Sequence, residues 1–155
     1  MNHRPGQRFD THRGGPAASP ETLIVCPSCA GCAVVRPMTV RDGPFRAACS
    51  ACAWATTLRD DVYECRAATV GADGECFELW LKGSFRGQPF WAYNYAMLAW
   101  MRRLVAASLR ERHRIPGVGW TNRSLDSRLP RWMLSRKNRR GVLRAIARLE
   151  RERSA

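Results

Sequence analysis

Up to residue 93 the chain alternates short apolar runs with turn residues, which is a strand pattern. Leu23-Ile24-Val25 is the first run, and Ala33 to Val40 continues as strand, bent or interrupted at Pro37, where a ladder donor is lost. Asp42-Gly43 is a hairpin-turn dipeptide, and Phe45 to Ala48 returns alongside. Val62 to Val70 and Glu75 to Leu81 flank Gly71-Ala72-Asp73-Gly74 and predict a second hairpin. Gln88 to Tyr93 adds a third strand beyond a loop over Gly83 to Gly87.

From Tyr95 the period becomes helical, with Asn94 as the N-cap. At ~100° per residue, Met97, Leu98, Met101, Leu104, Val105, Ser108 and Leu109 share one arc of about 140°. Arg103, Arg110 and Arg114 lie opposite, and this helix is expected to run until just before Pro116-Gly117. A glycine-rich loop holding Trp120 follows, then a helical turn over Ser124 to Leu129. Pro130 opens a short helix containing Trp132 and Met133. Asn138 is positioned to cap the last helix, where Val142, Leu143, Ile146 and Leu149 share a face. Arg140, Arg144, Arg148 and Arg151 gather within about 80° on the other face. The fold class expected is α+β, a β-rich first half followed by a helical second half.

Cysteines change this picture most. Cys26-Pro27-Ser28-Cys29 is answered, after nineteen residues, by Cys49-Ser50-Ala51-Cys52. Strand, turn and strand fill the gap, so the hairpin would bring the two pairs together. Four thiolates so placed suit the corners of a tetrahedron, the geometry of a structural zinc ion. Pro27 fixes one backbone angle in the first turn, and Gly31 is expected to permit the sharp exit from it. Cys32 creates a competing pair, Cys29-x-x-Cys32. Trp54 is expected to pack against the outside of the site, and Cys65 and Cys76 to be packing cysteines.

The two Cys-x-x-Cys turns resemble a zinc ribbon over about residues 22–58. Such ribbons occur in transcription factors of the TFIIB kind, in elongation factors, in RNA polymerase subunits and in the primosomal replication-restart helicase. Ala30 departs from the glycine that often follows the second knuckle cysteine. Pro27 falls where ribbon knuckles usually carry proline, which favours Cys26 and Cys29 as ligands with Cys49 and Cys52. The resemblance implies a small β-rich module holding one structural Zn2+. The layout expected is a disordered arm (1–21), the ribbon (22–58), a hairpin extension (59–93) and a basic helical region (94–155).

Charge sharpens the division. The net charge is +13 over 155 residues. Residues 1–94 carry ten Lys or Arg against nine Asp or Glu, whereas residues 95–155 carry sixteen against four. A single-sign surface of that kind points to a polyanionic partner, and guanidinium groups grip phosphates bidentately. The expected phosphate contacts are Arg102, Arg103, Arg110, Arg128, Arg131, Arg136, Lys137, Arg139, Arg140, Arg144 and Arg148, with Ser124, Asn138 and Trp120 as polar or stacking additions.

The function expected is therefore non-catalytic nucleic-acid binding, with DNA ahead of RNA. The alternative is an adaptor that docks on an acidic protein of a transcription, replication or defence complex. Catalysis is disfavoured: a tetrathiolate leaves no open metal position, and His113 has no nucleophile or base beside it. No apolar stretch is long enough to span a bilayer, and no secretory segment is visible. Thiols at metal spacing then suggest the reducing cytoplasm.

Overall fold

The structure, a computed structural model, describes residues 21–38, 44–58, 77–107 and 129–154, together with the backbone of short strands at 8–10, 69–70 and 109–111. In chain order the elements are β1 (Arg8–Asp10), β2 (Thr22–Val25), β3 (Cys32–Pro37), β4 (Phe45–Cys49), β5 (Ala55–Leu58), β6 (Thr69–Val70), β7 (Phe77–Glu78), β8 (Leu81–Phe85), β9 (Gln88–Ala92), α1 (Tyr95–Ala106) and β10 (Leu109–Glu111). Two further helices, α2 (Arg131–Leu134) and α3 (Arg139–Arg153), complete the chain. The class is α+β, as expected.

Four antiparallel strands, in the order β2-β3-β4-β5, form the central sheet. Because successive side chains leave a strand on opposite faces, its apolar run serves two cores at once. Ile24, Ala33, Val35 and Ala47 turn to one side, where they pack with Cys26, Cys49, Leu58, Phe77 and Leu79. Leu23, Cys32 and Val34 turn to the other, against Trp100, Leu104, Ile146 and their neighbours. The register agrees, with Leu23 opposite Val34 and Ile24 opposite Ala33. The sheet is thus sandwiched between a small apolar cluster and the helices.

Asn94 joins the two halves. Its Oδ1 accepts the Met97 N–H at 2.8 Å, the expected N-cap, while its Nδ2 donates to the Glu21 carbonyl at 2.9 Å. Helix α1 buries Met97, Leu98, Met101, Leu104 and Val105 as its period predicts, and also Trp100, which widens the apolar face. It ends earlier than expected, at Ala106, and Arg110 lies on β10, paired in parallel with β1. The arm expected to be disordered therefore supplies a strand. Backbone pairing needs no side-chain periodicity, so neither strand is visible in the local pattern.

The expected run from Glu75 to Leu81 is broken. Leu79 forms an isolated bridge to Ile24, and a new strand begins at Leu81. Gly83, Ser84 and Phe85, read as loop, are strand β8, which pairs with β9 around Arg86-Gly87. Gly83 has a packing role: a Cβ there would lie 2.8 Å from Cζ of its cross-strand partner Phe90. The Asp42-Gly43 turn, most of the Val62–Val70 strand, Cys65, Cys76, Trp120 and the Ser124–Leu129 turn up to Arg128 lie outside the described residues.

Helix α3 packs on this hairpin and on α1 through Val142, Ala145, Ile146 and Leu149. Gly141 lets the Phe85 ring lie directly on the helix backbone, since a Cβ would come within 2.8 Å of Cζ. The same ring stacks with Trp132 of α2, 6.0 Å between centroids and nearly parallel.

Candidate metal centre and basic surface

The two Cys-x-x-Cys turns are near copies of one another. Cys26 N–H donates to the Gly31 carbonyl and Cys49 N–H to the Trp54 carbonyl, both at 2.8 Å. Ala30 and Ala53, each following the second cysteine of its pair, adopt φ values of 58° and 57°. That left-handed step turns the next N–H back onto the sulfur, from Gly31 to Cys29 and from Trp54 to Cys52. The sharp exit thus falls on Ala30 and not on Gly31. Gly31 instead makes room, because a Cβ there would stand 3.3 Å from the Cys29 sulfur.

The hairpin β3–β4 brings the two turns side by side, with Ala33 opposite Cys49. The sulfurs of Cys26, Cys29, Cys49 and Cys52 all lie within 4.8 Å of one another. Cys26 and Cys52 are 3.6 Å apart, as are Cys29 and Cys49. These separations are far beyond a disulfide bond of about 2.05 Å, and all four thiols are free. Cys26 and Cys49 are buried in the sheet's small core, while Cys29 and Cys52 face solvent.

The electrostatics of the cluster favour a cation. The Trp54 N–H, helped by the neighbouring thiols, lowers Cys52 to about 7. Against the pull of the Gly31 N–H, the thiols of Cys52 and Cys49 push Cys29 up to about 12. Four thiolates crowded this closely repel one another unless a positive charge sits among them. The donor set could hold a metal ion.

Cys32 is not among these ligands. It is half-buried on the helix-facing side of β3, its sulfur 3.9 Å from the Ala33 carbonyl, and burial pushes its thiol up. Trp54 packs inward against Phe77, 5.8 Å between ring centroids, and partly covers the cluster around Cys26 and Cys49.

The expected cationic residues divide into two sets. Arg131, Arg136, Lys137, Arg140, Arg144 and Arg148 are exposed on α2, α3 and the turn between them. Arg102 is exposed as well but pairs with Glu150 at 3.1 Å, and Arg103 is exposed on α1. Arg139 is internal: it is half-buried, and its Nη2 donates to the Ala107 carbonyl at 3.0 Å, tying α3 to the end of α1. Asn138 stands at the N-cap position of α3, as expected, but its side chain makes no capping bond. It is 92% buried and its Nδ2 donates to the Trp132 carbonyl at 2.9 Å, so it is unavailable to a ligand. Arg110 lies on β10, and Arg128 and Ser124 lie outside the described residues. Among the described residues, no helix is long and apolar enough to cross a membrane. No family model, curated protein or solved structure matches the chain.

Proposed function

We propose that this chain is a non-catalytic zinc-ribbon protein that binds nucleic acid through the arginine-bearing surface of its helical half. The metal reading is supported by distance. A zinc ion with four Zn–S bonds of about 2.3 Å holds its sulfurs about 3.8 Å apart; two pairs here stand at 3.6 Å and all lie within 4.8 Å. Cys26, Cys29, Cys49 and Cys52 would hold the ion, whose role is to fix the two turns and the sheet between them. Four thiolates close the coordination shell, which suits structure and not catalysis.

The observation that carries the nucleic-acid reading is the set of six exposed cations, Arg131, Arg136, Lys137, Arg140, Arg144 and Arg148, on one contiguous piece of chain. From Arg131 to the end of α3 the only carboxylates are Glu150, paired with Arg102, and Glu152, which meets Arg148 at 3.9 Å. Surfaces kept for solubility mix their signs more evenly; this one is predominantly cationic. DNA is the first probe because the ribbon resemblance is to transcription and replication proteins.

The test is a titration of duplex DNA, single-stranded DNA and RNA over a salt series. Six neutralised phosphates on duplex DNA give a slope of log affinity against log salt near −5. Affinity independent of salt, or none for any probe, removes the reading. Partners retained in a pull-down after nuclease digestion would favour the adaptor alternative.

A further inference from the structure

The hairpin turn Arg86-Gly87 carries a residue that the turn itself does not ask for. Both positions have positive φ, 52° at Arg86 and 75° at Gly87. A two-residue turn of this kind is most easily made by Asn-Gly or Asp-Gly, and a long side chain in the left-handed region is strained. Strain retained at an exposed position calls for a use. The Arg86 guanidinium lies 5.3 Å from the centroid of the Phe85 ring, which is seated on Gly141. That contact holds the guanidinium beside helix α3.

Between this turn and the outer face of α3 runs an open groove of about 550 Å³. Four arginines line it, Arg86 from the turn and Arg144, Arg148 and Arg151 from the helix. Ser84 adds a hydroxyl, and Phe85 forms part of the lining. Arg144, Arg148 and Arg151 are spaced four and three residues apart and so share one face. Among the described residues one carboxylate engages them: Glu152 meets Arg148 at 3.9 Å, with both side chains more than half exposed. Such a pair is weak and readily gives way to a phosphate. No other ion pair to these four arginines is present among the described residues.

Resting on the nucleic-acid reading above, we propose that this groove is the track for the sugar–phosphate backbone of one nucleic-acid strand, with Arg86 as the clamp on the side opposite the helix. Arg86 and Arg151 thereby join the contact surface, and the exposed cations between α2 and α3 become peripheral. Forks presented from two walls can grip a phosphate from both sides, which a single helix face cannot do.

The test uses the full zinc-loaded chain and a labelled oligothymidylate strand titrated across a salt series. The variant Arg86→Asn/Arg144→Gln/Arg148→Gln/Arg151→Gln should bind at least about tenfold more weakly, with a salt slope shallower by about 3. A control, Arg131→Gln/Arg136→Gln/Lys137→Gln, should change both much less. Arg86→Asn alone should weaken binding while its thermal midpoint stays at or above that of the wild type, since Asn suits the turn; a folding defect would move both together. If the wild type binds and the groove variant binds as well, or the control loses as much, the groove is not the track although the protein still binds nucleic acid. If the wild type does not bind, this inference falls with the reading beneath it.

Discussion

Ala30 and Ala53 occupy matching left-handed positions, with φ within a degree of one another, one step beyond the second cysteine of each pair. A residue with a Cβ is strained by about 1–2 kcal/mol there, whereas glycine is not, though glycine brings an unfolded-state entropy cost of about 0.5–1 kcal/mol. Both methyl groups are exposed, so little packing would be lost. Ala30→Gly and Ala53→Gly should therefore each stabilise the metal-loaded protein, by about 0.5–1 kcal/mol. Because the two turns meet at one cluster of sulfurs, the double variant measures how far the two changes are coupled. Denaturant melts of the four proteins measure this, and a loss of stability at either position would mean that the methyl groups have a packing role.

Metal content should follow the sulfur geometry. Serine at Cys26, Cys29, Cys49 or Cys52 removes one of four converging sulfurs and should lower zinc below one per chain. Serine at Cys32, whose sulfur points to the helix side, should leave one zinc in place. Elemental analysis of purified variants separates the cases, and zinc lost on changing Cys32 would place the ligand set elsewhere.

Acidification should release the metal. At neutral pH Cys29 is a thiol, held up to about 12 by its thiol neighbours against the Gly31 N–H, while Cys52, lowered to about 7 chiefly by the Trp54 N–H, is half ionised. Coordination requires thiolates, so binding zinc near pH 7 should expel at least one proton, from Cys29, and part of another, from Cys52. The sign follows: metal-held thiolates titrate below the unfolded thiol's value of about 8.5, so their stabilisation is complete above it and shrinks as pH falls. Zinc titrations in weak buffers of different ionisation heat would count the protons. A count of none would mean that the thiols are not the ligands.

Much of this arrangement was legible in the residues and some was not. The paired cysteines, the hairpin between them, Asn94 as a cap and the buried stripe of the last helix all rest on local spacing, which a sequence displays. What escaped depends on partners far along the chain. Leu109 continues the helical arc of α1, yet its backbone pairs with Arg8, and nothing near it announces that choice. Gly83 reads as a loop because its reason for being glycine is the Phe90 ring on the neighbouring strand. Arg86 hides a turn because asparagine or aspartate normally marks one. Asn138 and Arg139 look like surface residues, and only the fold directs them inward, to Trp132 and Ala107.

Gly141 offers a test of how α3 sits on its hairpin. In an isolated helix, alanine would be better than glycine by about 1 kcal/mol. Here its methyl would strike the Phe85 ring, so Gly141→Ala should destabilise, by about 1–3 kcal/mol. Replacing Phe85 with leucine removes the obstructing ring. The double variant Phe85→Leu/Gly141→Ala should then lose less than the sum of the two single changes. Additive losses would show that helix and ring are not in the contact described.

Arg139 and Arg140 are adjacent in sequence and opposite in role. Arg140 is exposed, whereas Arg139 reaches the Ala107 carbonyl, an acceptor where α1 stops, with its Nε buried and unpartnered among the described residues. A cation beside a helix C-terminus is favoured by the helix dipole, and a hydrogen bond from a charged donor is worth about 1.5–3 kcal/mol. The unpartnered Nε offsets part of that gain. Arg139→Gln should consequently lower stability, by about 1–2 kcal/mol, and leave the salt slope of nucleic-acid binding unchanged. Arg140→Gln should do the reverse: stability within about 0.5 kcal/mol of the wild type, and a slope shallower by up to about one phosphate contact. Melting curves and salt titrations on the same two preparations give all four values, and if Arg139→Gln flattens the salt dependence without affecting the melt, the residue faces the ligand and not α1.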